Sequence, residues 1–573
     1  MNIPRGEHPR PRFYRENWQS LNGKWQFEVD QGRSGKARGL VESTTLSGEI
    51  TVPFCPESVL SGVGYKDFMA AVWYKRTLFI PRDKAGLRTL LHFGAVDYHA
   101  EVFVNGAPAG IHDGGYTSFT LDITSLVKPG DNLVTVYAED DTRSGKQPRG
   151  KQSAQYHSHG CDYTRTTGIW QTVWVEWVAQ TYIRRVKFTP DAANGRVYLE
   201  ALLEGDTKGI ALHAAAAFKG EACGALSAEA AGQAVRAELA LSQKHLWNVG
   251  EPNLYDISLR LVKDGREVDT LASYFGLRDV AFDGMRFLIN GRPVFMRLVL
   301  DQGFYPDGIC TAPSDEALKN DILLSLAMGF NGARLHQKVF EERFLYHADH
   351  MGYLCWGEMG NWGMDHTDIA TLPVFLKEWL QAVERDASAP CIIGWCPFNE
   401  TWDLSGRQQE DEILRTVYRV TKALDTTRPV IDTSGNYHVE TDIHDVHDYE
   451  QNPEAFAALY GPGTAPIHER FEKRQRYNGQ PVFVSEYGGI WWSDTEKAGW
   501  GYGQRPQSRE EFLARLKGLT DALLDNPDHC GLCYTQLTDV EQEQNGLYTY
   551  QRQAKFDPAI IHAIFSRRAA MEK

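Results

Sequence analysis

The stretch CIIGWCPFNETW, Cys391–Trp402, starts as a short apolar run and ends in polar residues. The stretch PVFVSEYGG, Pro481–Gly489, has the same form. A short apolar run bounded by turn residues is typical of a strand buried on both faces. Both stretches belong to a series of eight such runs after Phe287, and helical patterns lie between several of them. This alternation predicts a C-terminal (β/α)8 TIM barrel over residues 281–573.

The positions of the barrel strands decide where functional residues are sought. The eight strands are expected at Val294–Leu300, Gly332–Leu335, Tyr353–Trp356, Cys391–Trp395, Pro429–Thr433, Asp445–Tyr449, Pro481–Ser485 and Gly531–Gln536. Helices are expected at Asp315–Met328, Arg407–Leu424 and Arg509–Leu524. Active sites of this fold lie at the carboxyl ends of the strands. The polar residues that follow each apolar run are therefore the candidates for function.

The first half of the chain is rich in short β-patterned runs. In residues 1–180, runs such as Val173–Trp177 and frequent turn signals predict an N-terminal jelly-roll β-sandwich. In residues 181–280, Arg196–Ala201 and Tyr255–Val262 alternate with period 2, which predicts a small Ig-like β-sandwich. The chain is therefore expected to be multidomain, with two sandwiches before the barrel.

Composition and motifs exclude several classes of function. The 573 residues include 75 acidic and 60 basic ones, a net charge of −15, so neither nucleic acid nor an anionic membrane is an expected partner. No apolar run approaches the roughly 18–20 residues that span a bilayer. The nine cysteines are odd in number and scattered, and the basic N-terminus has no apolar stretch after it. This pattern predicts reduced thiols and a cytoplasmic protein. The motifs GxSxG, HExxH and GxxxxGK(S/T) are absent.

Two glutamates end predicted strands, Glu400 after the fourth and Glu486 after the seventh. A carboxylate beside an apolar strand is costly unless it is paired or functional. Two carboxyl groups on one rim suit glycoside hydrolysis, in which one donates a proton to the leaving oxygen and the other attacks the anomeric carbon or directs a water to it. Each glutamate alone is better explained as a structural ion pair. Both together, each after an apolar run, favour catalysis.

Four motifs in order resemble glycoside hydrolase family 2, the family of β-galactosidases, β-glucuronidases and β-mannosidases. GIWQTVWV (Gly168–Val175) resembles the end of the family's jelly roll, and FLINGRPVF (Phe287–Phe295) resembles the entry to its barrel. GWCPFNETW (Gly394–Trp402) resembles its acid/base motif, and VFVSEYGG (Val482–Gly489) its nucleophile motif. The resemblance covers nearly the whole chain.

The resemblance implies a retaining exo-β-glycosidase that acts on a small carbohydrate or glycoside. It implies that Glu400 is the general acid/base, that Glu486 is the nucleophile and that Asn399 binds the sugar 2-hydroxyl. It also implies a possible assembly into homo-oligomers, by analogy with relatives. The extra C-terminal domains of the largest β-galactosidases are lacking, so neither a metal nor another cofactor is expected.

Further side chains are candidates because they follow barrel strands or flank the two glutamates. Arg334 and Tyr449 are expected near Glu486, as a cation and a hydrogen-bond donor, although a rim salt bridge and a packed aromatic are equally good explanations. Aromatic faces stack on sugar rings, which makes tryptophans after the glutamates candidates for the pocket. The remaining substrate-binding candidates are Trp402, Trp491, Trp492, Asp301, His336 and His447.

The sugar is predicted from a departure from the family. β-Glucuronidases of family 2 carry Asn-x-Lys-Gly after strand eight, where the lysine pairs with the sugar carboxylate. The matching stretch here is Glu543-Gln544-Asn545-Gly546, so Asn545 replaces that lysine and Glu543 would repel a uronate. A β-galactoside is therefore the favoured substrate. A β-uronide (galacturonide or glucuronide) and an arabinoside stay open, as does a non-catalytic sugar-binding protein. The Gly-rich loop after Glu486, through Lys497 to Gly503, is expected to be a lid.

Overall fold

The computed structural model describes residues 3–465, 477–494 and 498–573. The three largest apolar cores of the described residues lie one in each of two β-sandwiches and one, the largest of all, in the barrel. None of the helices in these ranges is long and apolar enough to cross a membrane. All nine cysteines are free thiols.

The N-terminal sandwich packs a six-stranded antiparallel sheet, ordered β3-β2-β4-β10-β7-β8, against a four-stranded one, ordered β1-β12-β5-β9. Its core is built from alternate inward-facing residues of the two sheets, such as Val102 and Val104 in one strand. Asn105 and Gly106 have φ angles of 53° and 81°, as the tight hairpin turn between β7 and β8 requires. The strands are β1 (Trp18–Ser20), β2 (Gly23–Val29), β3 (Gly48–Val52), β4 (Val72–Ile80), β5 (Arg88–Phe93), β6 (Val96–Asp97), β7 (His99–Val104), β8 (Ala107–Asp113), β9 (Phe119–Asp122), β10 (Gly130–Glu139), β11 (Gly168–Ile169) and β12 (Val173–Val178).

The Ig-like sandwich pairs a three-stranded sheet, ordered β13-β14-β17, with a four-stranded sheet, ordered β16-β15-β18-β19. The period-2 burial of β18 follows its sequence pattern, with every second residue from Tyr255 to Leu261 in the core. A small antiparallel sheet, β20-β21-β22, leads into the barrel. The strands are β13 (Tyr182–Asp191), β14 (Arg196–Glu204), β15 (Ile210–Phe218), β16 (Glu221–Glu229), β17 (Ala234–Ala240), β18 (Tyr255–Lys263), β19 (Arg266–Phe275), β20 (Val280–Asp283), β21 (Arg286–Ile289) and β22 (Arg292–Pro293).

The barrel is a curled parallel sheet of seven strands, ordered β26-β25-β24-β23-β31-β30-β29. Its gap is bridged by the short parallel pair β27-β28 and by an isolated bridge between Trp395 and Val430. The strands are β23 (Met296–Asp301), β24 (Gly332–Leu335), β25 (Leu354–Glu358), β26 (Ile392–Cys396), β27 (Phe398–Asn399), β28 (Thr433–Ser434), β29 (His444–Asp448), β30 (Val482–Gly488) and β31 (His529–Thr535). The fifth strand, predicted at Pro429–Thr433, is reduced to β28 and the bridge at Val430, because the Val430 N–H donates to Asp442 Oδ2 at 2.9 Å instead of to a neighbouring strand.

The helices begin where their capping residues lie. The side chains of Ser314, Asn452, Ser508 and Asp557 accept hydrogen bonds from the first turns of α1, α5, α6 and α7. The helices are α1 (Asp315–Ala327), α2 (Glu342–Met351), α3 (Leu372–Asp386), α4 (Asp411–Leu424), α5 (Pro453–Tyr460), α6 (Arg509–Asp525) and α7 (Pro558–Phe565). The helix predicted from Arg407 therefore begins four residues later, at Asp411.

A segment of the N-terminal sandwich, residues 145–165, reaches the carboxyl-end rim of the barrel. The Arg149 backbone N–H donates to the Trp362 carbonyl at 2.7 Å. The Tyr163 hydroxyl donates to Glu543 Oε2 at 2.6 Å, and Gln542 Nε2 donates to the Gly160 carbonyl at 2.7 Å. The rim is thus walled on one side by a domain with its own core.

Arg15 joins the two sandwiches through a buried ion-pair cluster. Its Nη1 lies 3.0 Å from Glu176 in β12, and its Nε and Nη2 contact both oxygens of Asp269 in β19, at 3.1 and 3.0 Å. All three side chains are at most 5% exposed. Burial opposes the charge of Glu176, but neighbouring cationic groups that include His92 and Arg15 outweigh it and lower its pKa to about 2.

We expect Arg15→Met to lower the free energy of unfolding by about 3–5 kcal/mol at pH 7, because two buried carboxylates lose their partner. The part of the loss due to Glu176 is present above its unfolded pKa of about 4.3 and fades as the pH falls toward 2. Urea unfolding followed by tryptophan fluorescence measures it. Arg236→Met, which breaks an exposed pair with Glu200, is the control and should cost under about 1 kcal/mol. Equal losses in the two variants would contradict the role given to Arg15.

Candidate active site

Glu486 lies near the carboxyl end of β30 and is 5% exposed, and both of its carboxylate oxygens accept hydrogen bonds. Oε1 accepts a hydrogen bond from Arg334 Nη1 at 2.8 Å, and Oε2 accepts one from the Tyr449 hydroxyl. Arg334 is the penultimate residue of β24, and Tyr449 directly follows β29. Both reach the rim because parallel strands end at the same edge. The sequence-based expectation of a cation and a hydroxyl beside Glu486 matches this geometry.

Arg334 holds three groups of the rim at once. Besides Glu486, its Nε donates to Glu358 at 2.6 Å, and its Nη2 donates to Asn399 Oδ1 at 2.5 Å. Burial opposes the charge, but the carboxylates of Glu358 and Glu486 raise the pKa of the guanidinium well above its ordinary value. The planar fork of a buried arginine therefore fixes the relative positions of these side chains.

Glu400 stands opposite Glu486 at the end of β27. Its backbone has a φ of 45°, and its N–H donates to the Ser434 carbonyl at 2.9 Å. His447 lies between the two glutamates, with Nδ1 2.6 Å from Glu400 Oε1 and Nε2 3.4 Å from Glu486 Oε1. One carboxylate oxygen of each glutamate and a ring nitrogen of His447 lie within 4.8 Å of one another. The two acidic side chains thus meet across one small space.

The pKa of Glu400 is lowered, which is the opposite of what its expected role as a general acid requires. A general acid needs a raised pKa, and burial acts in that direction. The hydrogen bond and charge of His447, with the charges of Lys151 and Arg334, outweigh burial and lower the pKa of the Glu400 carboxyl. Burial opposes the charge of His447, but Glu486 and Glu400 raise its pKa. Without substrate, the proton of this pair is therefore held on the imidazole side.

A buried polar chain supports His447 from below. Ser434 Oγ lies 2.9 Å from His447 Nε2 and donates to Asp445 Oδ2 at 2.5 Å. The other oxygen of Asp445 lies 3.1 Å from His438, whose second nitrogen lies 2.7 Å from Asp432. These contacts fix the imidazole ring relative to the strand ends.

The same three side chains, Glu400, His447 and Glu486, form the group within the described ranges whose donor atoms could hold a metal ion. Their atoms are already engaged with one another, and Arg334 lies against Glu486. A cation placed there would lie beside a permanently charged guanidinium. We therefore assign no metal to this site.

Sequence models of one family match three consecutive parts of the chain. "Glycosyl hydrolases family 2, sugar binding domain" matches residues 60–175, "Glycosyl hydrolases family 2" matches 181–278, and "Glycosyl hydrolases family 2, TIM barrel domain" matches 280–493. The chain belongs to glycoside hydrolase family 2. The predicted architecture and the prediction of a glycoside hydrolase are confirmed.

Relatives of this family 2 chain carry two activities. A beta-glucuronidase of Paenibacillus borealis is 23% identical, over 93% of this chain and 94% of that enzyme. A beta-galactosidase of Thermoanaerobacter pseudethanolicus is 24% identical over 71% of this chain, which spans about half (54%) of that enzyme. A solved beta-glucuronidase of Ruminococcus gnavus in complex with D-glucuronic acid has a TM-score of 0.81 at 18% identity, covering 98% of this chain and 100% of that one. At this identity the structural likeness shows the fold alone.

Other predicted site residues of the family 2 chain lie at various distances from the glutamates. Asn399 is held by Arg334 and by Asn361, whose Oδ1 accepts from its backbone N–H at 2.8 Å. His336 is buried 3.0 Å from Glu358, and burial, with the charges of Lys151 and Arg334, lowers its pKa well below the ordinary value. Asp301 accepts from the Gly303 backbone N–H at 2.9 Å and so caps a turn.

The three candidate tryptophans have three different environments. Trp492 is 7% exposed and contacts Phe512 and Phe556, so it is a core residue and not a stacking surface for a sugar. Trp491 is half-buried with the Arg505 guanidinium 5.6 Å from its ring. Trp402 is 48% exposed and contacts Tyr437. Sequence alone cannot separate these cases, because each tryptophan follows a glutamate motif.

Asn545 lies in a buried hydrogen-bond network, and both atoms of its side-chain amide are bonded to protein groups. Its Nδ2 donates to Glu543 Oε1 at 2.9 Å, and its Oδ1 accepts from Gln536 at 2.8 Å. The second oxygen of Glu543 accepts from Tyr163. Burial raises the pKa of Glu543, and these donors and Lys151 only partly offset it. Burial and these hydrogen bonds therefore act against the expected repulsion of a uronate by Glu543.

The loop after Glu486 is described only in part, since residues 495–497, with Lys497, lie outside the described ranges. On its far side Trp500 Nε1 donates to the Gly160 carbonyl at 2.6 Å. The ring of Tyr502 stacks on Tyr449 at a centroid distance of 3.4 Å. The described part of the loop thus contacts both the sandwich segment and the residue bound to Glu486, and a lid stays a prediction.

Sequence reasoning missed the residues that the N-terminal sandwich contributes. Lys151 is 6% exposed, and its Nζ lies 3.9 Å from the centroid of the Trp362 ring. Tyr163 reaches Glu543 from the same segment. No signal in the sequence places them at the rim, because they belong to a different domain and precede β23 by more than a hundred positions.

Proposed function

We propose that this family 2 chain is a retaining exo-β-glycosidase that cleaves a terminal β-D-uronide. The observation that carries the reaction type is the pair Glu400 and Glu486, whose nearest donor atoms lie within 4.8 Å of each other. Carboxyl groups about 5–5.5 Å apart suit direct attack, whereas an inverting pair needs about 6.5–9.5 Å to admit a water. This spacing supports a double displacement.

In the first step Glu486 attacks the anomeric carbon while the glycosidic C–O bond breaks. Arg334 and Tyr449 orient the attacking carboxylate. The leaving oxygen takes a proton from Glu400, and Glu400 receives that proton from His447 Nδ1, 2.6 Å away, so that Glu400 is left as a carboxylate and His447 as a neutral imidazole. The products are a glycosyl ester on Glu486 and the free aglycone.

In the second step Glu400 acts as a base and takes a proton from a water, whose oxygen attacks the anomeric carbon and releases Glu486. A lowered pKa of Glu400 suits this half of the reaction, because the carboxylate is the form that accepts a proton. Asn399 has its Oδ1 bound by Arg334, which leaves its Nδ2 to donate to the sugar 2-hydroxyl.

The proposed sugar is a β-uronide, an alternative that the sequence leaves open, in place of the β-galactoside that Asn545 favours. The Paenibacillus relative, aligned over nearly the full length of both chains, is a beta-glucuronidase. The argument against a uronate rested on Glu543, whose pKa is raised by burial and whose two oxygens are bound by Tyr163 and Asn545. A β-galactoside is the second candidate, supported by the Thermoanaerobacter beta-galactosidase.

We expect aryl β-D-glucuronide or β-D-galacturonide to be cleaved with a kcat/KM at least about 100-fold above that of the glucoside or galactoside of the same configuration, since a buried charge pair is worth over 2 kcal/mol. Release of 4-nitrophenol from these four substrates and from the arabinoside measures it. Faster turnover of the galactoside than of both uronides would establish the second candidate. Binding without turnover of any of them would indicate a sugar-binding protein.

A further inference from the structure

Lys151 is a buried cation that has no anionic partner among the residues that the structure describes. This residue belongs to the sandwich segment 145–165 and is 6% exposed. Within residues 3–465, 477–494 and 498–573 its Nζ makes no hydrogen bond or ion pair, and the contact it has is with the face of Trp362. An ammonium removed from water without a hydrogen-bond acceptor is unfavourable unless a ligand supplies one.

Trp362 locates Lys151 beside the catalytic pocket, because its ring faces Lys151 Nζ and its Nε1 donates to the Asn399 carbonyl at 3.0 Å. Burial opposes the charge of Lys151, but the acidic groups of Cys161, Glu543, Glu486 and Glu400 raise the pKa of its ammonium. The lysine therefore stays charged near neutral pH. It interacts electrostatically with both catalytic carboxyl groups, yet it forms an ion pair with neither of them.

Two other cations of the rim that the structure describes, Arg334 and Lys338, are already bound to protein groups. Arg334 is bound to Glu358, Glu486 and Asn399. Lys338 donates to the carbonyls of Gly303 and Cys310, at 2.6 and 2.7 Å. Of these three described cations, Lys151 is thus the one whose donors are free for a carboxylate on a bound sugar.

The backbone of Lys151 is fixed in place. Its carbonyl accepts from the Tyr163 N–H at 2.7 Å, and Tyr163 is anchored on Glu543. The neighbouring Arg149 pairs with Asp162 at 2.7 Å and donates its backbone N–H to Trp362. A donor held by a rigid segment loses little entropy when it binds a ligand.

We propose that Lys151 binds the carboxylate of the uronide and so sets the preference for a uronic acid over the neutral sugar. This inference rests on the proposed function, and it places the specificity-determining cation on the N-terminal sandwich in place of the lysine that Asn545 replaces. A neutral hexose would leave the ammonium unpaired. The pairing is a binding interaction, with no bond made or broken.

The test uses pairs of aryl substrates that differ only in carboxylate against hydroxymethyl, glucuronide with glucoside and galacturonide with galactoside. In Lys151→Met, the ratio of kcat/KM for uronide to that for the neutral sugar is expected to fall about 100-fold or more. Most of the fall should appear in the uronide. Lys151→Arg keeps the charge and should keep a ratio within about tenfold of the wild type.

Lys75→Met is the matched control, because Lys75 is another buried lysine of the same sandwich, bonded to Thr135 at 2.8 Å and distant from the rim. Its ratio should equal the wild-type ratio whatever its stability. A Lys151→Met ratio within about threefold of wild type would overturn the inference; if that variant does not fold, Lys151→Gln is read by the same criterion. Absence of uronide cleavage by the wild-type chain would instead refute the proposed function.

Discussion

Glu486→Ala is expected to reduce kcat/KM for every aryl glycoside by at least about four orders of magnitude, because the group that forms the covalent intermediate is lost. Folding should be retained, since Glu486 is a rim residue and Arg334 keeps Glu358 as a partner. Continuous release of dinitrophenol from an activated substrate measures the loss. A smaller effect, below about tenfold, would exclude Glu486 as the nucleophile.

Added azide distinguishes a lost nucleophile from a merely damaged site. In Glu486→Ala the anion can occupy the space of the missing carboxylate and attack the anomeric carbon, which gives the α-glycosyl azide from a β-glycoside. Glu358→Ala is the matched control, because Glu358 is also a buried carboxylate bound to Arg334 at 2.6 Å. That variant should be slow as well, and azide should not restore it. A β-glycosyl azide from Glu486→Ala would contradict the assignment.

Glu400→Ala should show an effect that depends on the leaving group. For a poor leaving group, such as an alkyl or sugar alcohol, kcat/KM should fall by about 10²–10⁴-fold, since proton donation is lost. For a dinitrophenyl glycoside, which leaves without a proton, kcat/KM should change little while kcat falls, because hydrolysis of the intermediate has lost its base. Comparison of the two substrates in steady-state kinetics measures both effects.

The pH profile and azide provide independent checks on Glu400. With a poor leaving group, wild-type kcat/KM should fall as the pH rises and the proton shared by Glu400 and His447 is lost, and Glu400→Ala should lack this alkaline limb. Azide should accelerate the variant and give the β-glycosyl azide, by attack on the glycosyl-enzyme. Glu412→Ala, at an exposed position on α4, is the control and should behave as wild type. A uniform loss for good and poor leaving groups would contradict the acid/base role.

The two glutamates could be predicted because their positions depend on local pattern. Each follows a run of apolar residues, and the barrel brings the ends of all parallel strands to one rim. The short fifth strand could not be placed as well, since the Val430 N–H donates to the Asp442 side chain, twelve positions away, instead of to a neighbouring strand. The same limit applies to Trp492, which a motif-based argument cannot distinguish from an aromatic in the pocket, because stacking on a sugar and packing in a core favour the same residue type.

The electrostatics of the site depends on contacts between distant parts of the chain. The lowered pKa of Glu400 follows from His447, which is 47 positions away, and from Lys151, which belongs to another domain. A sequence pattern reports neighbours along the chain, whereas a pKa reports neighbours in space. Roles that follow from position after a strand were therefore predictable, and the protonation of the pair was not.

Since one wall of the pocket is built by residues 145–165, the barrel carries the reacting groups while the sandwich carries part of the selectivity. Exchange of the amino-terminal domain between homologous enzymes would replace this wall of the pocket as a unit. The catalytic residues of the barrel would stay unchanged. Recombination of whole domains is thus a route by which such an enzyme can acquire a new substrate specificity without altering the residues that perform the cleavage.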